Sequence, residues 1–368
     1  MKKSVRARKG KSIVTGLFGM SVSFLLITAC HKDGDYSHGD HTGVDLGSFS
    51  EVNLVANNGS YHAARIDPAL LNAWGIAFTA SGGVWITSTG AGVSTVYNSE
   101  GIQAIPAVAI PSAVEGVPGT PTGIVANSSA DDFILSNGKA AKFLFAGLDG
   151  VISGWNGGTT AMVVRNNAGH AIFTGLATAT DNGKKFLYAA NAQNGGIDVW
   201  DNSFKRDTTK PFKDPQLPAG YTPFNIHLAD GQLLVAYTKV GPDGRALNEV
   251  GNGIVDIFTT GGVFVKRFAT GGKLNAPWGI TSAPAGFFPG KDAQNAILIG
   301  NFRDGKINAY TPNGEFIDQL KTNGKIVVID GLWEIGFPPS SSTVDPHRLY
   351  FAAGPKDEKD GLFGYLVR

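Results

Sequence analysis

The chain has 368 residues, of which 42% are hydrophobic and 17% charged, with a formal net charge of +1. This composition excludes a disordered chain, and the absence of any basic run beyond residue 11 excludes nucleic-acid binding, which rests on clustered Lys and Arg. Fifty glycines and 18 prolines leave few stretches able to hold a long helix, while the single cysteine excludes an internal disulfide framework and a zinc site built on several thiolates.

The N-terminal residues MKKSVRARKGK are basic, and the apolar run SIVTGLFGMSVSFLLITA behind them is short and glycine-marked for a transmembrane span. The run ends in Ile27-Thr28-Ala29-Cys30, which resembles the bacterial lipobox. That resemblance implies cleavage before Cys30 and a diacylglycerol on its sulfur; an ordinary signal peptide and an uncleaved anchor are the alternatives. Residues 1–29 are therefore expected to be a lipoprotein signal peptide. The protein is expected to be exported and lipid-anchored in the bacterial cell envelope, with His31 after the cysteine pointing to the outer membrane. Two or more acyl chains hold a protein on a membrane, each buried CH₂ contributing about 0.8 kcal/mol. Residues 30–47 (CHKDGDYSHGDHTGVDLG) are polar and lack periodicity, so they read as a flexible tether. Its His31, His38 and His41, interleaved with Asp33, Asp35 and Asp40, form either a solvated linker or a tail that collects divalent cations.

From residue 48 the chain repeats itself loosely. The tetrads are Ala73-Trp74-Gly75-Ile76, Pro121-Thr122-Gly123-Ile124, Phe173-Thr174-Gly175-Leu176, Pro223-Phe224-Asn225-Ile226, Pro277-Trp278-Gly279-Ile280 and Leu332-Trp333-Glu334-Ile335. Their third positions are 48, 52, 50, 54 and 55 residues apart, the scale of a four-stranded propeller blade. Short β-branched and aromatic runs follow each tetrad: VWITS, FILSN (133–137), FLYAAN, LLVAYT, AILIGN and RLYFAAG, then STVYN, VISGWN, GIDVWD, GIVDIF, KINAY and LFGYLV. A weaker fourth run trails each unit except the last, which reaches Arg368 after its third strand. The opening stretch SFSEVNLVAN (48–57) belongs to no unit and precedes its tetrad as the fourth runs precede theirs. It can complete the sixth blade, and closing the ring removes exposed sheet edges. The expected fold is all-β, a six-bladed β-propeller over 48–368, and the expected state is a monomer.

With these phrases in order, among them LYAANAQNGGIDVWD, LPAGYTPFNIH, RFATGGKLNAPWGI and IGNFRDGKINAY, the chain resembles a family of exported bacterial six-bladed propellers related to the NHL-repeat class. The resemblance runs from about residue 50 to the C-terminus and implies a fold without implying a reaction. Many members of that family end in a C-terminal sorting anchor, whereas this chain stops after its last strand.

In a propeller the first strand of each unit lines the channel, and the loops that open it share one face with the loops between second and third strands. Candidate ligand-binding residues around the channel mouth are Trp74, Asn191, Asn225, Trp278, Asn301, Trp333 and Glu334, joined on the loops by Asn137, Arg303, Asp304, Lys356 and Asp357. Aromatic faces stack on sugars or ligand rings and amides supply directional hydrogen bonds, so a peptide, glycan or protein ligand is expected. The competing reading of the tryptophans is architectural, as wedges between blades. Glu334 and Asn225 break the glycine slot of the tetrad, and with Asn191, Asn301 and Asp330 they form an oxygen-rich set of the kind that holds Ca²⁺. By analogy with gluconolactonase-type propellers, such an ion would make the protein a metal-dependent hydrolase or lyase. His227 sits on a channel strand, where it packs or faces the channel. No G-x-S-x-G, H-E-x-x-H or Walker-type motif occurs.

Overall fold

A computed structural model describes residues 44–368. The expected leader over 1–29, Cys30 and most of the tether over 30–47 lie outside the described residues. Six sheets surround one channel, each an antiparallel meander that runs outward from the tetrad-bearing strand. The innermost strands are Ala73–Phe78, Pro121–Ala126, Phe173–Asp181, Tyr221–Ala229, Pro277–Ser282 and Leu332–Gly336. Each packs beside the next, and the last packs beside the first.

The sixth sheet holds Leu332–Gly336, Leu349–Ala353 and Leu362–Val367, and its outermost place is taken by Ser50–Ala56 from the other end of the chain. Ser50 pairs with Val367 and Ala56 with Leu362, so the ring closes as the repeat pattern implies. Contact with the body begins before the expected boundary at 48: Leu46 is buried in the core between blades five and six, and Val44 packs against it. The seam carries a polar lock. Asp360 accepts hydrogen bonds from Tyr61 Oη at 2.6 Å and from the side-chain amides of Asn57 and Asn58 at 3.0 Å, and it pairs with Lys356 at 2.9 Å. Burial on its own would raise the Asp360 carboxyl, but these donors outweigh burial and hold it well below the ordinary carboxylate range.

One expected strand differs. The second strand of blade two is Phe143–Gly147, and FILSN (133–137) lies outside the sheet. Phe133 and Leu135 are nonetheless buried, and Ile134 bridges to Ala140, so this run is a core-facing arm. Phe143–Gly147 wins the pairing because a three-residue turn at 148–150 joins it directly to Val151–Trp155. Asn137 therefore leaves the channel mouth; its side chain pairs with that of Asn156 on an exposed loop.

All six blades share one irregularity. The innermost and second strands slip register at the tetrad, between 73 and 76, 121 and 124, 173 and 175, 223 and 225, 277 and 280, and 332 and 335. Each slip inserts one extra residue, a bulge that bends the strand and re-aims side chains. Beside it, neighbouring innermost strands come so close that a Cβ on Gly123 would lie 2.5 Å from the Leu176 amide nitrogen, and one on Gly279 would lie 2.6 Å from that of Ile335. Side chains stitch the same joints: Thr122 donates to the Phe173 carbonyl at 2.8 Å and Asn225 to the Trp278 carbonyl at 2.9 Å.

Two outcomes test this architecture. Gly123→Ala is expected to destabilise the ring by about 3 kcal/mol through overpacking, whereas Gly59→Ala, where a Cβ meets only the Ile66 side chain at 4.0 Å, changes stability by less than about 1 kcal/mol; denaturant titration compares them. Asp360→Asn is expected to cost about 2–3 kcal/mol at pH 7 by weakening hydrogen bonds made to a charge. A carboxyl held below its unfolded pKa stabilises the fold above that value and loses this contribution as pH falls toward the folded one. The melting-temperature gap between wild type and Asp360→Asn should therefore narrow from about pH 4 downward, and a constant gap would contradict the lock.

Candidate functional site

The bulge turns the second residue of each tetrad toward the axis. Trp74, Phe224, Trp278 and Trp333 from four blades meet there with Phe302, and all five are buried. Trp74 stacks on Trp333 with ring centroids 3.5 Å apart, Trp333 stacks on Phe302 at 3.8 Å, and Trp278 meets Trp74 and Trp333 edge-on at 5.9 and 5.7 Å. Blades two and three carry only threonine in this slot, which leaves the Trp278 indole room to reach across and donate to the Thr174 carbonyl at 3.0 Å. Trp74 and Trp333 both donate to Asn72 Oδ1, at 2.9 and 3.0 Å. The tryptophans are therefore neither wedges between blades nor an open rim: they plug the channel.

The plug divides the channel into two cavities. The upper one, about 380 Å³, opens on the face that carries the second-to-third-strand loops. Its floor is Trp74, Phe224, Phe302 and Trp333, and its polar wall is Gln193, Arg245, Arg303 and Glu358. Arg303 donates through Nε to the Ala246 carbonyl at 2.7 Å, and its guanidinium lies 4.9 Å from the centre of the Phe302 ring. Burial lowers the Arg303 pKa, opposed by the Glu358 charge; a guanidinium stays protonated regardless. Glu358 pairs with Arg245 at 3.5 Å and accepts from the Asn72 amide at 3.1 Å. It is held there by a turn in which Lys356, Asp357 and Glu358 all have left-handed φ, at 55°, 54° and 69°. Non-glycine residues rarely occupy that region, and the surrounding contacts must hold them in it. The backbone amide of Lys356 is fixed by Asp330 at 2.9 Å.

The lower cavity, about 320 Å³, lies between the other ends of the innermost strands. Most of its lining side chains are apolar, although polar atoms supply as much of its surface as apolar ones, and its amide and ionisable side chains sit on blades four and six. Asn225 Nδ2 contacts His227 Nε2 at 3.0 Å, and His227 Nε2 lies 3.4 Å from Glu334 Oε1. Glu334 is only 7% exposed, and Oε1 also accepts from its neighbour's backbone, Ile335 N, at 3.2 Å. Burial pushes its carboxyl above the usual range.

Of the residues picked from sequence, Trp74 and Trp333 floor the upper cavity, while Asn225, Trp278 and Glu334 line the lower one. Asn191 and Asn301 line neither. Asn191 Oδ1 accepts from Ile172 N and Gln193 N, and its amide donates to Asp198 at 3.1 Å. Asn301 donates to the Lys273 carbonyl at 2.8 Å and to Asp304 at 3.0 Å, so both asparagines clamp loops. Asp330 sits apart on the upper face. The five residues do not assemble as a Ca²⁺ cage of six to eight oxygens, and among the described residues no three His, Cys, Asp or Glu side chains cluster as metal ligands. Glu334 is also the one carboxylate lining the lower cavity, so the paired carboxyls of common glycoside hydrolysis are missing from it. Arg245, Phe302 and Glu358 were not foreseen, although the long loop at 240–252 and the charged run at 354–361 mark where two of them lie.

No protein-family model matches the chain. Among curated proteins, Uncharacterized protein R648 of Acanthamoeba polyphaga mimivirus is 32% identical over 336 residues, covering 86% of this chain and 80% of that protein. Uncharacterized protein L690 of the same virus is 32% identical over 336 residues, covering 86% of each. Among solved structures, virginiamycin B lyase from Staphylococcus aureus superposes with a TM-score of 0.50 at 18% identity, covering 87% of this chain and 99% of the lyase, a likeness of fold alone. The chain belongs to one protein family with the mimivirus proteins R648 and L690.

Proposed function

We propose that the protein is a ligand-binding propeller whose upper cavity takes a small molecule with a flat ring and an anionic group. The observation that carries this reading is Arg303: a half-buried guanidinium beside an aromatic floor that forms no ion pair among the described residues. The nearest carboxylate, Glu358, pairs with Arg245 and not with Arg303, and an arriving carboxylate supplies a direct partner in a planar, two-oxygen geometry. Trp74, Phe224 and Phe302 border the cavity with aromatic surface, while Trp333 is stacked between Trp74 and Phe302 beneath them. The strained turn at 356–358 supports the same reading, since it holds Glu358 against Arg245 at the rim. Peptides and glycans that present such a ring and acid fall within this class. The lipobox-like stretch ending at Cys30 and the polar tether support export and lipid anchoring in a bacterial envelope, outer membrane included, with the propeller as a monomer held off the lipid.

Indole-3-acetate and benzoate, compared with indole and benzyl alcohol, probe the cavity through quenching of tryptophan fluorescence. The anions are expected to bind at least tenfold more tightly than their neutral counterparts, and Arg303→Gln to erase that preference; equal binding of anion and neutral form by the wild type would sink the proposal. Mass spectrometry of the protein made in a bacterial host is expected to find a mature form that starts at a diacylglycerol-bearing Cys30, and to find residues 1–29 retained in Cys30→Ser. A mature N-terminus elsewhere would refute the anchor.

A further inference from the structure

The lower cavity is chemically the reverse of the upper one. Among its lining residues the ionisable groups are Glu334 and His227. The orientation of Asn225 is fixed on one side by Ile226 N, which donates to Oδ1 at 2.8 Å, and on the other by the Trp278 carbonyl, which accepts from Nδ2. The Asn225 amide therefore donates to His227 Nε2, making that nitrogen an acceptor. It faces a second acceptor, Glu334 Oε1, at 3.4 Å. Two acceptors in contact call for a proton between them or a donor beside them. Glu334 Oε2 accepts no hydrogen bond from any described residue, so the cluster has acceptor capacity that the protein leaves unused.

Around this cluster the walls are Ile124, Leu176, Ile280 and Phe337, and the exposed Leu228 stands at the mouth. A volume of about 320 Å³ equals on the order of ten water molecules, enough for a short hydrocarbon chain with one polar head. A group with several N–H donors and a positive charge matches the inner end; a flexible apolar body matches the walls. An anion would meet Glu334 unfavourably.

We propose that the lower cavity is a binding site for a small primary alkylammonium ion, with Glu334 as its counter-charge and His227 and Asn225 orienting its N–H groups. The site lies across the tryptophan plug from the upper cavity and does not depend on the reading given for that cavity. Ligands of opposite charge would approach the ring from opposite faces.

Calorimetric titration of the full-length protein at pH 8 with n-butylammonium, n-butanol and butyrate, at constant ionic strength, tests the assignment. Butylammonium is expected to bind at least tenfold more tightly than butanol, and butyrate not to compete with it. Tetrabutylammonium has the same charge on a body too large for the cavity, so it is expected not to bind. In Glu334→Gln the affinities for butylammonium and butanol should converge to within about twofold. This variant keeps the side-chain volume and removes a charge that burial disfavours, so it should melt no lower than wild type at pH 8. Wild-type affinities for cation and alcohol that agree within error, binding of tetrabutylammonium as tight as that of butylammonium, or a cation preference that survives in a folded Glu334→Gln would each overturn the proposal. An absence of cation binding up to 100 mM would do the same. The first and last outcomes rest on wild-type protein alone and stand however the variant folds.

Discussion

Crowding at the channel wall governs this molecule. Where neighbouring innermost strands come closest there is space for backbone and little else, so the repeated phrase carries glycine in four of its six copies. The bulge beside that glycine supplies the compensation. It adds one residue to each innermost strand and turns the preceding side chain toward the axis, where aromatic rings fill a hole that strands alone would leave open. Close approach, bulge and plug are three results of one steric limit. The two tetrads that break the glycine rule confirm its logic: Asn225 turns its side chain into an inter-blade hydrogen bond, and Glu334 extends into the lower cavity.

The plug also separates two electrostatic environments. Above it, two arginines and one glutamate border an aromatic floor; below it, one carboxylate and one imidazole stand among aliphatic side chains. Charges set apart by a slab of buried rings are poorly screened, because a low-dielectric wall holds field lines within each cavity. A propeller with an open channel would let water level that difference.

Most of the fold was legible because each blade repeats a strand grammar, and because the stray opening strand matches the strand missing at the end. The exception was blade two, where FILSN buries Phe133 and Leu135 around an exposed Ile134 and FLFAG is buried throughout, so that both read as strands. Burial produces the same residue pattern in a sheet and in a core-facing arm, so only the short turn after Gly147 decides between them. The candidate site was less legible. Trp74, Trp278 and Trp333 were identified as residues, but their direction depends on the bulge, and a one-residue slip reverses which way a strand side chain points. Asn191 and Asn301 looked like ligands because loop clamps and metal ligands use the same amides. Glu334 stood out as a departure from the repeat, whereas Arg245 and Glu358 lie on loops whose conformations no periodicity describes.

Joining the first strand to the last has a consequence for synthesis. Ser50 is made early, yet its partner Val367 lies more than three hundred residues downstream. Until those last residues emerge, the opening strand has no sheet to join, and the growing stack of blades keeps an uncovered face at each end. Five blades can assemble in order as they leave the ribosome, through contacts local in sequence. The sixth forms only by a long-range closure, slow to reach compared with neighbouring hairpins. A nascent or prematurely ended chain thus displays two uncovered apolar faces at once, each able to adhere to another chain. Emergence of Leu362–Val367 is what hides both.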